Sequence, residues 1–290
     1  MNNFKITKIG NVITINSDGF RIMVMSDIHF DSPFSNRKLF FHDLDFAAKN
    51  KAKVFVIGDF FDAMQGRFDP RRDMSQLRPE YRRADYYDYI VEDAAKLLKP
   101  YRSLFSLITP GNHEAATLKN ANTDLIGRLT KKMSTPGHTV HTGGYGGIIR
   151  LIEGKKIVPV KYFHGSGGEA PVTRGAIQTS RQAVFLPDFQ IVLNGHSHHA
   201  YWIPIVRERV NPSGDHYFDI QHHVRTPGYN MSYGDGSGGW EVTRGGVPKP
   251  MGSFMLDIND GFVIPTPLIN IPIPVGGIND VFQGTIFPQE

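Results

Sequence analysis

Residues 21–31 read RIMVMSDIHFD, and the fold is decided in this stretch. The apolar run from Ile22 to Met25 ends abruptly, and an Asp-x-His motif follows it at Asp27 and His29. The run is too short for a typical helix and is β-branched or methionine-rich, so it predicts a buried strand. Alternate side chains of extended chain point the same way, so the carboxylate and the imidazole can meet at one point. An oxygen ligand beside a nitrogen ligand is the donor pair that a borderline divalent metal prefers.

An ordinary turn would explain this motif if it stood alone, but four more short apolar runs end in the same way. The polar clusters that follow those runs are Asp59/Asp62, Asn112/His113, His164 and His196/His198. In open α/β sheets the carboxyl ends of the strands face one crevice, where ligands bind. Five clusters at five strand ends are therefore expected to converge on one site. The alternative, histidines scattered over unrelated loops, would not place all five clusters at strand ends.

The order of the predicted elements indicates one large α/β domain followed by a short arm. A helical pattern over Lys38–Asn50 lies between the first buried strand and a second at Val54–Ile57, which predicts a parallel βαβ unit. The predicted organisation is a domain over residues 1–260, with core motifs in 21–200, antiparallel strands and a glycine-rich loop in 201–260, and an arm over 261–290. The arm is rich in proline and aliphatic residues, so it cannot be helical.

The C-terminal arm has few charges, and in water it would be an exposed apolar liability. We expect it to lie along a protein surface, either that of its own domain or that of a neighbouring subunit. Exchange of an extended arm is a low-cost route to a symmetric oligomer, so a homo-oligomer formed through the arm is the favoured arrangement.

Composition limits the chemistry and the location of the protein. Its 290 residues carry a formal charge of +4 and contain no cysteine, which excludes disulfides, thiolate metal sites and cysteine nucleophiles. Any metal site must therefore use His, Asp, Glu and Asn, and the chain has 12 histidines. No apolar run approaches the ~18 residues of a membrane span, and the first residues do not resemble a signal peptide. We expect a cytoplasmic protein with no membrane partner.

The motifs DIH, GDFFD, GNHE, a lone HG and GHSH follow one another in this order between residues 21 and 200. Together they resemble the signature set of the calcineurin-like metallophosphoesterases. The resemblance implies an α/β fold, a four-layer α/β/β/α sandwich of two mixed sheets flanked by helices. It also implies a phosphoesterase in which a metal-bridging hydroxide attacks phosphorus in line, without a covalent phosphoenzyme.

By the roles of these motifs in the family, the resemblance assigns seven metal ligands. Asp27, His29 and His198 would hold one ion, Asn112, His164 and His196 the second, and Asp59 would bridge them. On the substrate side, His113 would face the scissile phosphate and Asp62 would orient His113. Such ligands suit two divalent ions, with manganese favoured and iron, zinc or nickel as alternatives.

The segment from Gly66 to Arg83 breaks the alternation of strands and helices and is rich in arginine. Its arginines are Arg67, Arg71, Arg72, Arg78, Arg82 and Arg83. One interpretation is a solvated basic face. The other is a loop that binds phosphate oxygens of the substrate through arginines, of which the candidates are Arg67, Arg71, Arg72 and Arg78. The helix that follows, over Pro79 to Leu98, is expected to turn Tyr87 toward the core and Tyr86 elsewhere.

Three functions are open to a protein with this resemblance. The first is hydrolysis of a phosphodiester in DNA, RNA or a nucleotide, because arginines interleaved with tyrosines suit phosphates and stacked bases. The second is a phosphomonoesterase or protein phosphatase, but the GDxxDRG motif of the protein-phosphatase branch is absent, since Asp62 is followed by Ala63-Met64. The third is a non-catalytic scaffold, which should have lost ligands, whereas every expected position is filled. The sequence therefore favours a phosphodiesterase or nuclease.

Overall fold

Short runs of β-branched, aromatic and methionine side chains form the strands, and amphipathic segments form the helices. The computed structural model describes residues 4–66, 69–74, 77–167, 172–234, 236–237 and 239–270. The strands are β1 (Lys5–Ile9), β2 (Val12–Asn16), β3 (Phe20–Met25), β4 (Lys53–Ile57), β5 (Phe105–Thr109), β6 (His141–Thr142), β7 (Gly146–Glu153), β8 (Lys156–Phe163), β9 (Ile191–Asn194), β10 (Tyr201–Val210), β11 (His216–Arg225), β12 (Met251–Asn259) and β13 (Phe262–Asn270). The α-helices are α1 (Arg37–Lys49), α2 (Tyr86–Leu97), α3 (Asn112–Ala121), α4 (Leu125–Met133), α5 (Ala176–Phe185) and α6 (Trp240–Thr243). None of the helices in these ranges is both long enough and apolar enough to cross a bilayer.

The strands form two mixed sheets. One has the order β13-β12-β3-β4-β5-β6, in which β3 to β6 run parallel and β12 pairs antiparallel with both of its neighbours. The other has the order β1-β2-β7-β8-β9-β11-β10 and also contains both parallel and antiparallel pairs. The predicted βαβ unit is confirmed, because α1 connects the parallel neighbours β3 and β4.

Side-chain alternation divides each central strand between two apolar cores. On β3, Ile22 and Val24 point into the core between the sheets, while Met23 and Met25 point toward the helices on the other side. Side chains such as Ile149 complete the inter-sheet core from the second sheet. β3 is thus buried on both faces, which explains why its run is continuously apolar instead of alternating.

Helices cover the outer faces of both sheets. The apolar residues of α1, α2 and α4 pack on the six-stranded sheet. α5 lies on the seven-stranded sheet, where Thr179 hydrogen-bonds to the hydroxyl of Tyr201 at 2.8 Å and the carbonyl of Leu186 accepts from Gln221 at 2.8 Å. The predicted α/β/β/α sandwich of two mixed sheets is therefore confirmed.

The helix after the arginine-rich segment begins later than predicted. A single 3-10 turn at Pro79–Tyr81 precedes α2, which starts only at Tyr86. Tyr86 is buried, contrary to the expectation, while Tyr87 is half-buried and packs against the core as predicted. The hydroxyl of Tyr86 donates to the buried carboxylate of Asp31, and such a polar partner cannot be found from apolar periodicity.

A C-terminal hairpin extends past the predicted end of the domain. β12 and β13 pair along their whole length, so the expected domain boundary between residues 260 and 261 falls in the turn of this hairpin. Residues up to Asn270 therefore belong to the sheet and not to an arm. Among the described residues β13 is an edge strand that pairs only with β12, which explains why it accepts Pro265 and Pro267. The rest of the expected arm, residues 271–290, lies outside the described residues, and the oligomer stays a prediction.

Candidate metal centre

The carboxyl ends of five strands bring the predicted site residues to one crevice. Asp27 and His29 follow β3, Asp59 and Asp62 follow β4, Asn112 and His113 follow β5 and open α3, His164 follows β8, and His196 and His198 follow β9. The predicted convergence is observed across the two sheets. The backbone N–H of His196, from the seven-stranded sheet, donates to Asp27 Oδ2, from the six-stranded sheet, at 2.9 Å.

Five of the site residues have a left-handed backbone conformation. The φ angle is 52° at Asp27, 47° at His29, 49° at Asp59, 74° at His196 and 57° at His198. Such a conformation costs a non-glycine residue on the order of 1–3 kcal/mol, and it persists where neighbouring structure holds it. Here the loops hold one another, because the N–H of His29 donates to the carbonyl of Asp59 at 3.2 Å. Residues strained in this way cluster at functional sites.

Two motif glycines allow the loops to approach one another closely. At Gly58, where φ is 85°, a Cβ atom would overlap the ring of His164. At Gly111 a Cβ atom would overlap the carboxylate of Asp59. The glycines of GDFFD and GNHE are therefore required, because any side chain at these two positions would overlap residues of the metal centre.

One set of ligand atoms comes from Asp27, His29 and His198, and these atoms lie within 4.8 Å of one another. His198 Nε2 is 3.3 Å from Asp27 Oδ1. Asp27 Oδ1 and His29 Nε2 are buried and have no hydrogen-bond partner among the described residues. Since buried polar atoms are nearly always satisfied, two such atoms in one set indicate a ligand that binds both.

A second set comes from Asp59, His164 and His196, again with all atoms within 4.8 Å of one another. His164 Nε2 is 3.1 Å from Asp59 Oδ2. The carboxamide of Asn112 joins this set, with Oδ1 2.7 Å from His196 Nδ1 and 3.2 Å from His164 Nε2. All the residues expected around the second ion thus meet in one place.

The separations between these atoms fit bound divalent ions. Two donors that share an ion at about 2.0–2.2 Å, in tetrahedral or octahedral geometry, lie roughly 3 Å apart. The two sets adjoin, since Asp27 Oδ1 is 3.8 Å from His164 Nε2. Asp59 lies beside this junction, because its Oδ2 is 3.1 Å from the same His164 Nε2. Carboxylate, imidazole and amide donors without thiolate suit two borderline divalent ions.

The side chain of Asp62 contacts a different histidine from the one predicted. Its Oδ1 lies 3.0 Å from His29 Nδ1 but 3.7 Å from His113 Nδ1, beyond hydrogen-bond distance. His113 Nδ1 instead donates to the backbone carbonyl of Asp62 at 2.5 Å. The left-handed turn at Ala63, with φ of 51°, follows at once, and carbonyl and carboxylate face different rings. Asp62 therefore orients His29 with its side chain and His113 with its backbone.

Hydrogen bonds at the outer ring nitrogens leave the inner nitrogens free for metal. His29 uses Nδ1 for Asp62, and His164 donates Nδ1–H to the carbonyl of Ile57 at 2.8 Å. Both rings therefore present Nε2 to the centre. A second partner of this kind fixes the tautomer of a metal-binding histidine and increases its basicity.

The charges of the centre shift pKa values in opposite directions. Burial opposes ionisation of Asp59, but His164 above all holds the pKa of that carboxyl well below its usual range. Burial also opposes protonation of His29, yet the hydrogen bond to Asp62 raises the pKa of His29 to about 9. Against the same effect of burial, Asp59 and Asp27 raise the pKa of His164 to about 10. Ions that bind here must displace protons from imidazoles.

Two buried carboxylates outside the predicted ligand set hold the loops of the centre. Asp31 accepts from two successive backbone N–H groups of the loop after Asp59, at 2.7 and 3.0 Å, and from the hydroxyl of Tyr86. Glu114 accepts from another N–H of that loop and from the N–H of Gly111, both at 2.8 Å. Their positions in the sequence could have pointed to this role, because Asp31 is the last residue of the stretch 21–31 and Glu114 is the last residue of the GNHE motif.

Two of the predicted substrate-binding arginines stabilise the protein itself. The guanidinium of Arg71 pairs with both carboxylate oxygens of Asp69, at 3.0 and 2.8 Å. The guanidinium of Arg78 donates to the backbone carbonyls of Ser32 and Ser35, at 2.8 and 3.1 Å. Substrate binding by Arg71 and Arg78 stays a prediction, since these contacts involve only the protein's own groups.

The remaining arginines of the segment divide differently. Arg72 is exposed and lines a cavity together with Arg83, so it stays a candidate for substrate binding. Arg82 is exposed and does not line that cavity. Arg67 lies outside the described residues.

Comparison with solved structures finds distant similarity. A Thermotoga maritima protein solved by NMR is 14% identical, with a TM-score of 0.35 and coverage of 87% of this chain and 99% of that chain. A predicted phosphoesterase of Streptococcus pneumoniae is 12% identical, with a TM-score of 0.33 and coverage of 85% and 87%. Vps29 of Entamoeba histolytica, complexed with zinc, is 10% identical, with a TM-score of 0.34 and coverage of 86% and 99%.

Comparison by sequence decides the family. No curated protein sequence matches the chain. The family model described as calcineurin-like phosphoesterase matches residues 20–200, which is more than half of the chain. That span contains all the motif residues that meet at the two ligand sets. The chain belongs to the calcineurin-like phosphoesterase family.

Proposed function

We propose that this protein hydrolyses a phosphodiester, in nucleic acid or a nucleotide, at a dinuclear metal centre. The observation that carries the proposal is the pair of adjoining ligand sets, with Asp27 Oδ1 3.8 Å from His164 Nε2. Two divalent ions held there would supply Lewis acidity toward the phosphate and lower the pKa of water. Asp59 lies beside both sets and is the proposed bridging ligand.

His113 is the proposed proton donor to the leaving oxygen. Its ring belongs to neither of the two ligand sets described above, although one of its nitrogens forms a third group with ligand atoms of His29 and Asp62, all within 4.8 Å of one another. The side chain of His113 is 12% exposed. Because Nδ1 donates to the carbonyl of Asp62, Nε2 is the nitrogen that can exchange a proton with the substrate. Protonation of a leaving group by a positioned histidine contributes typically ~10²–10⁴-fold to the rate.

The insertion between β4 and α2 supports a diester over a monoester. A diester has a second ester arm, which needs space beside the metal centre. The insertion contributes exposed cations and part of the lining of a cavity, whereas a monoester would need neither. Cationic and aromatic groups together suit a nucleotide arm.

The test is turnover by metal-stripped protein reloaded separately with manganese, iron, zinc or nickel. The substrates are p-nitrophenyl phosphate, bis-p-nitrophenyl phosphate, and single- and double-stranded DNA. We expect hydrolysis of the diester and of DNA to exceed that of the monoester with at least one ion. A preference for the monoester would make the protein a phosphomonoesterase. Binding of ions without turnover of any substrate would indicate a scaffold.

A further inference from the structure

A cavity of about 770 Å³ lies between the insertion and the C-terminal part of α3. Gln65, Arg72 and Leu77 line it from the insertion, and Lys119 and Asn120 line it from α3. Its volume is within the range of about 300–1,000 Å³ that is usual for small-ligand sites. None of the residues described above as metal ligands lines it, so it is a separate space.

The cavity is cationic. Arg72, Arg83 and Lys119 line it, and the described lining contains no carboxylate. Asp85 pairs with Arg83 at 2.8 Å, but within the described part of the chain no carboxylate pairs with Arg72 or Lys119. Arg72 and Lys119 are both exposed, so their charges are available to a bound anion. This distinguishes them from Arg71 and Arg78 in the same segment, whose guanidinium groups are engaged.

The rest of the lining suits a base and not only a phosphate. Met74 and Leu77 contribute apolar surface, Tyr87 contributes an aromatic ring, and Gln65 and Asn120 contribute amide groups. Apolar and aromatic surfaces accept the face of a base, and amides hydrogen-bond its edge. Cations together with these groups are the complement of one nucleotide unit.

The cavity lies at a defined distance from the metal centre. α3 begins at Asn112, a predicted ligand, and Lys119 is seven residues further along the helix. At 1.5 Å per residue this places Lys119 about 10 Å along the helix axis from Asn112. Successive phosphates of an extended single strand lie farther apart than the roughly 3.4 Å axial rise of a duplex, so about 10 Å corresponds to about two nucleotides. A small diester at the metal centre would not reach so far.

The wall of the cavity is joined rigidly to the catalytic loops. Tyr86 lines the cavity, and its hydroxyl donates to the carboxylate of Asp31. That carboxylate accepts from the backbone N–H groups of Asp62 and Ala63, at 2.7 and 3.0 Å. One side of the cavity therefore shares an anchor with the loop that orients His113.

We infer that this cavity is a subsite for a nucleotide unit a few positions from the scissile phosphate of a single-stranded oligonucleotide. The inference rests on the proposed function and sharpens it, since it makes an oligonucleotide the preferred substrate and a mononucleotide a poor one. Arg72 and Lys119 bind the phosphate of that unit, and the apolar and aromatic lining accepts its base.

The test is the double variant Arg72→Gln/Lys119→Gln, with Arg82→Gln as the matched control from the same segment. Kinetics are measured on bis-p-nitrophenyl phosphate, a thymidylyl dinucleotide and a longer oligothymidylate. For the longer substrate we expect KM to rise roughly tenfold in the double variant, and the salt dependence of log(kcat/KM) to flatten by about 0.7 per removed cation. The small diester, the dinucleotide and the control variant should show no such change.

Binding is measured separately, by fluorescence anisotropy, with a labelled phosphorothioate oligothymidylate that resists hydrolysis. Weaker binding in the double variant, together with no cleavage of any substrate by the wild-type protein, would support the subsite and reject the proposed function. Equal binding by the double variant and the wild-type protein would overturn the subsite even if the protein is a phosphodiesterase. An equal loss in Arg82→Gln would overturn it as well, because that result would indicate a diffuse basic surface.

Discussion

Buried histidines occur in two regions of this molecule, at the metal centre and on the hairpin of β10 and β11. His29 and His164 at the centre are 3% and 0% exposed, and His222 and His223 on β11 are 4% and 1% exposed. Burial therefore does not distinguish the two pairs. Their protonation does, because the pKa is raised to about 9 in His29 and about 10 in His164, and lowered to about 4 in both His222 and His223.

The difference comes from what accompanies each ring. At the centre, carboxylates more than offset the burial that disfavours an imidazolium. On β11, burial acts first and the positive charge of Arg207 adds to it. His222 stacks on Trp202 and accepts from its indole N–H at 3.2 Å, while His223 hydrogen-bonds to Gln221 at 2.9 Å. A buried histidine thus indicates a metal ligand only where carboxylates converge on it.

Removal of one carboxylate from each region is expected to have the largest effect. Asp59→Asn should abolish metal retention and turnover, exceeding the roughly 10–100-fold that loss of a supporting residue costs. Asp219→Asn is the matched control, since Asp219 pairs with Arg207 at 2.7 Å on the hairpin. Elemental analysis and turnover of bis-p-nitrophenyl phosphate measure the effect. Equal metal content in the two variants would show that Asp59 is not a ligand.

Removal of one histidine from each region separates catalysis from packing. His113→Ala should keep its metal content and lose about 10²–10⁴-fold in turnover, because His113 is the proposed proton donor to the leaving oxygen. The loss should be smaller for substrates with good leaving groups, which need little protonation. His223→Ala should lower the melting temperature and leave turnover unchanged. A His113→Ala protein that purifies without metal would instead make His113 a ligand.

The raised pKa values at the centre predict how metal affinity depends on pH. His29 and His164 are protonated in the metal-free protein at neutral pH, so an ion must displace their protons before it binds. Apparent affinity should therefore rise from pH 6 toward the folded pKa values of about 9 and about 10. Calorimetric titration in two buffers of different ionisation enthalpy measures the protons released. Release of no protons at pH 7 would contradict the assignment of these rings.

The lowered pKa values on β11 predict a smaller effect on stability. Below the ordinary histidine pKa of about 6.5, His222 and His223 bind protons in the unfolded chain but not in the folded protein. Stability should therefore fall as the pH drops from about 6.5 to about 4, and this contribution should level off below that. Thermal melts of the wild-type protein and of His223→Gln across this range measure it. The variant should show a shallower decline, and an identical slope would mean that His223 does not titrate in this way.

The positions that converge on the centre could be predicted because each joins two local signals, a short apolar run and a ligand-type side chain directly after it. Their convergence followed from the rule that strand ends of an α/β sheet face one crevice. The choice of partner within the centre could not be predicted. The carboxylate of Asp62 lies 3.0 Å from one imidazole and 3.7 Å from another, and a small rotation of the side chain decides between them.

Residues outside the motifs were less predictable, because their partners are distant in sequence and are often backbone atoms. Arg78 is engaged by carbonyls 43 and 46 residues away, and a carbonyl leaves no trace in the amino-acid pattern. Tyr86 is buried where its hydroxyl donates to a carboxylate 55 residues away. The extension of β13 across Pro265 and Pro267 depended on its place at the sheet edge, which only the assembled topology decides.

The hydrogen bond between His196 and Asp27 joins residues 169 positions apart and belonging to different sheets. Neither sheet alone holds a full set of ligands, so tight metal binding requires that the two sheets have already docked. Contacts of such long range are costly to form early, because loop-closure entropy must be met before they contribute. Ions bound at this junction would act as a late cross-link, binding only the closed sandwich and stabilising it by mass action. The rate at which the sheets separate would then report metal occupancy as directly as any assay of hydrolysis.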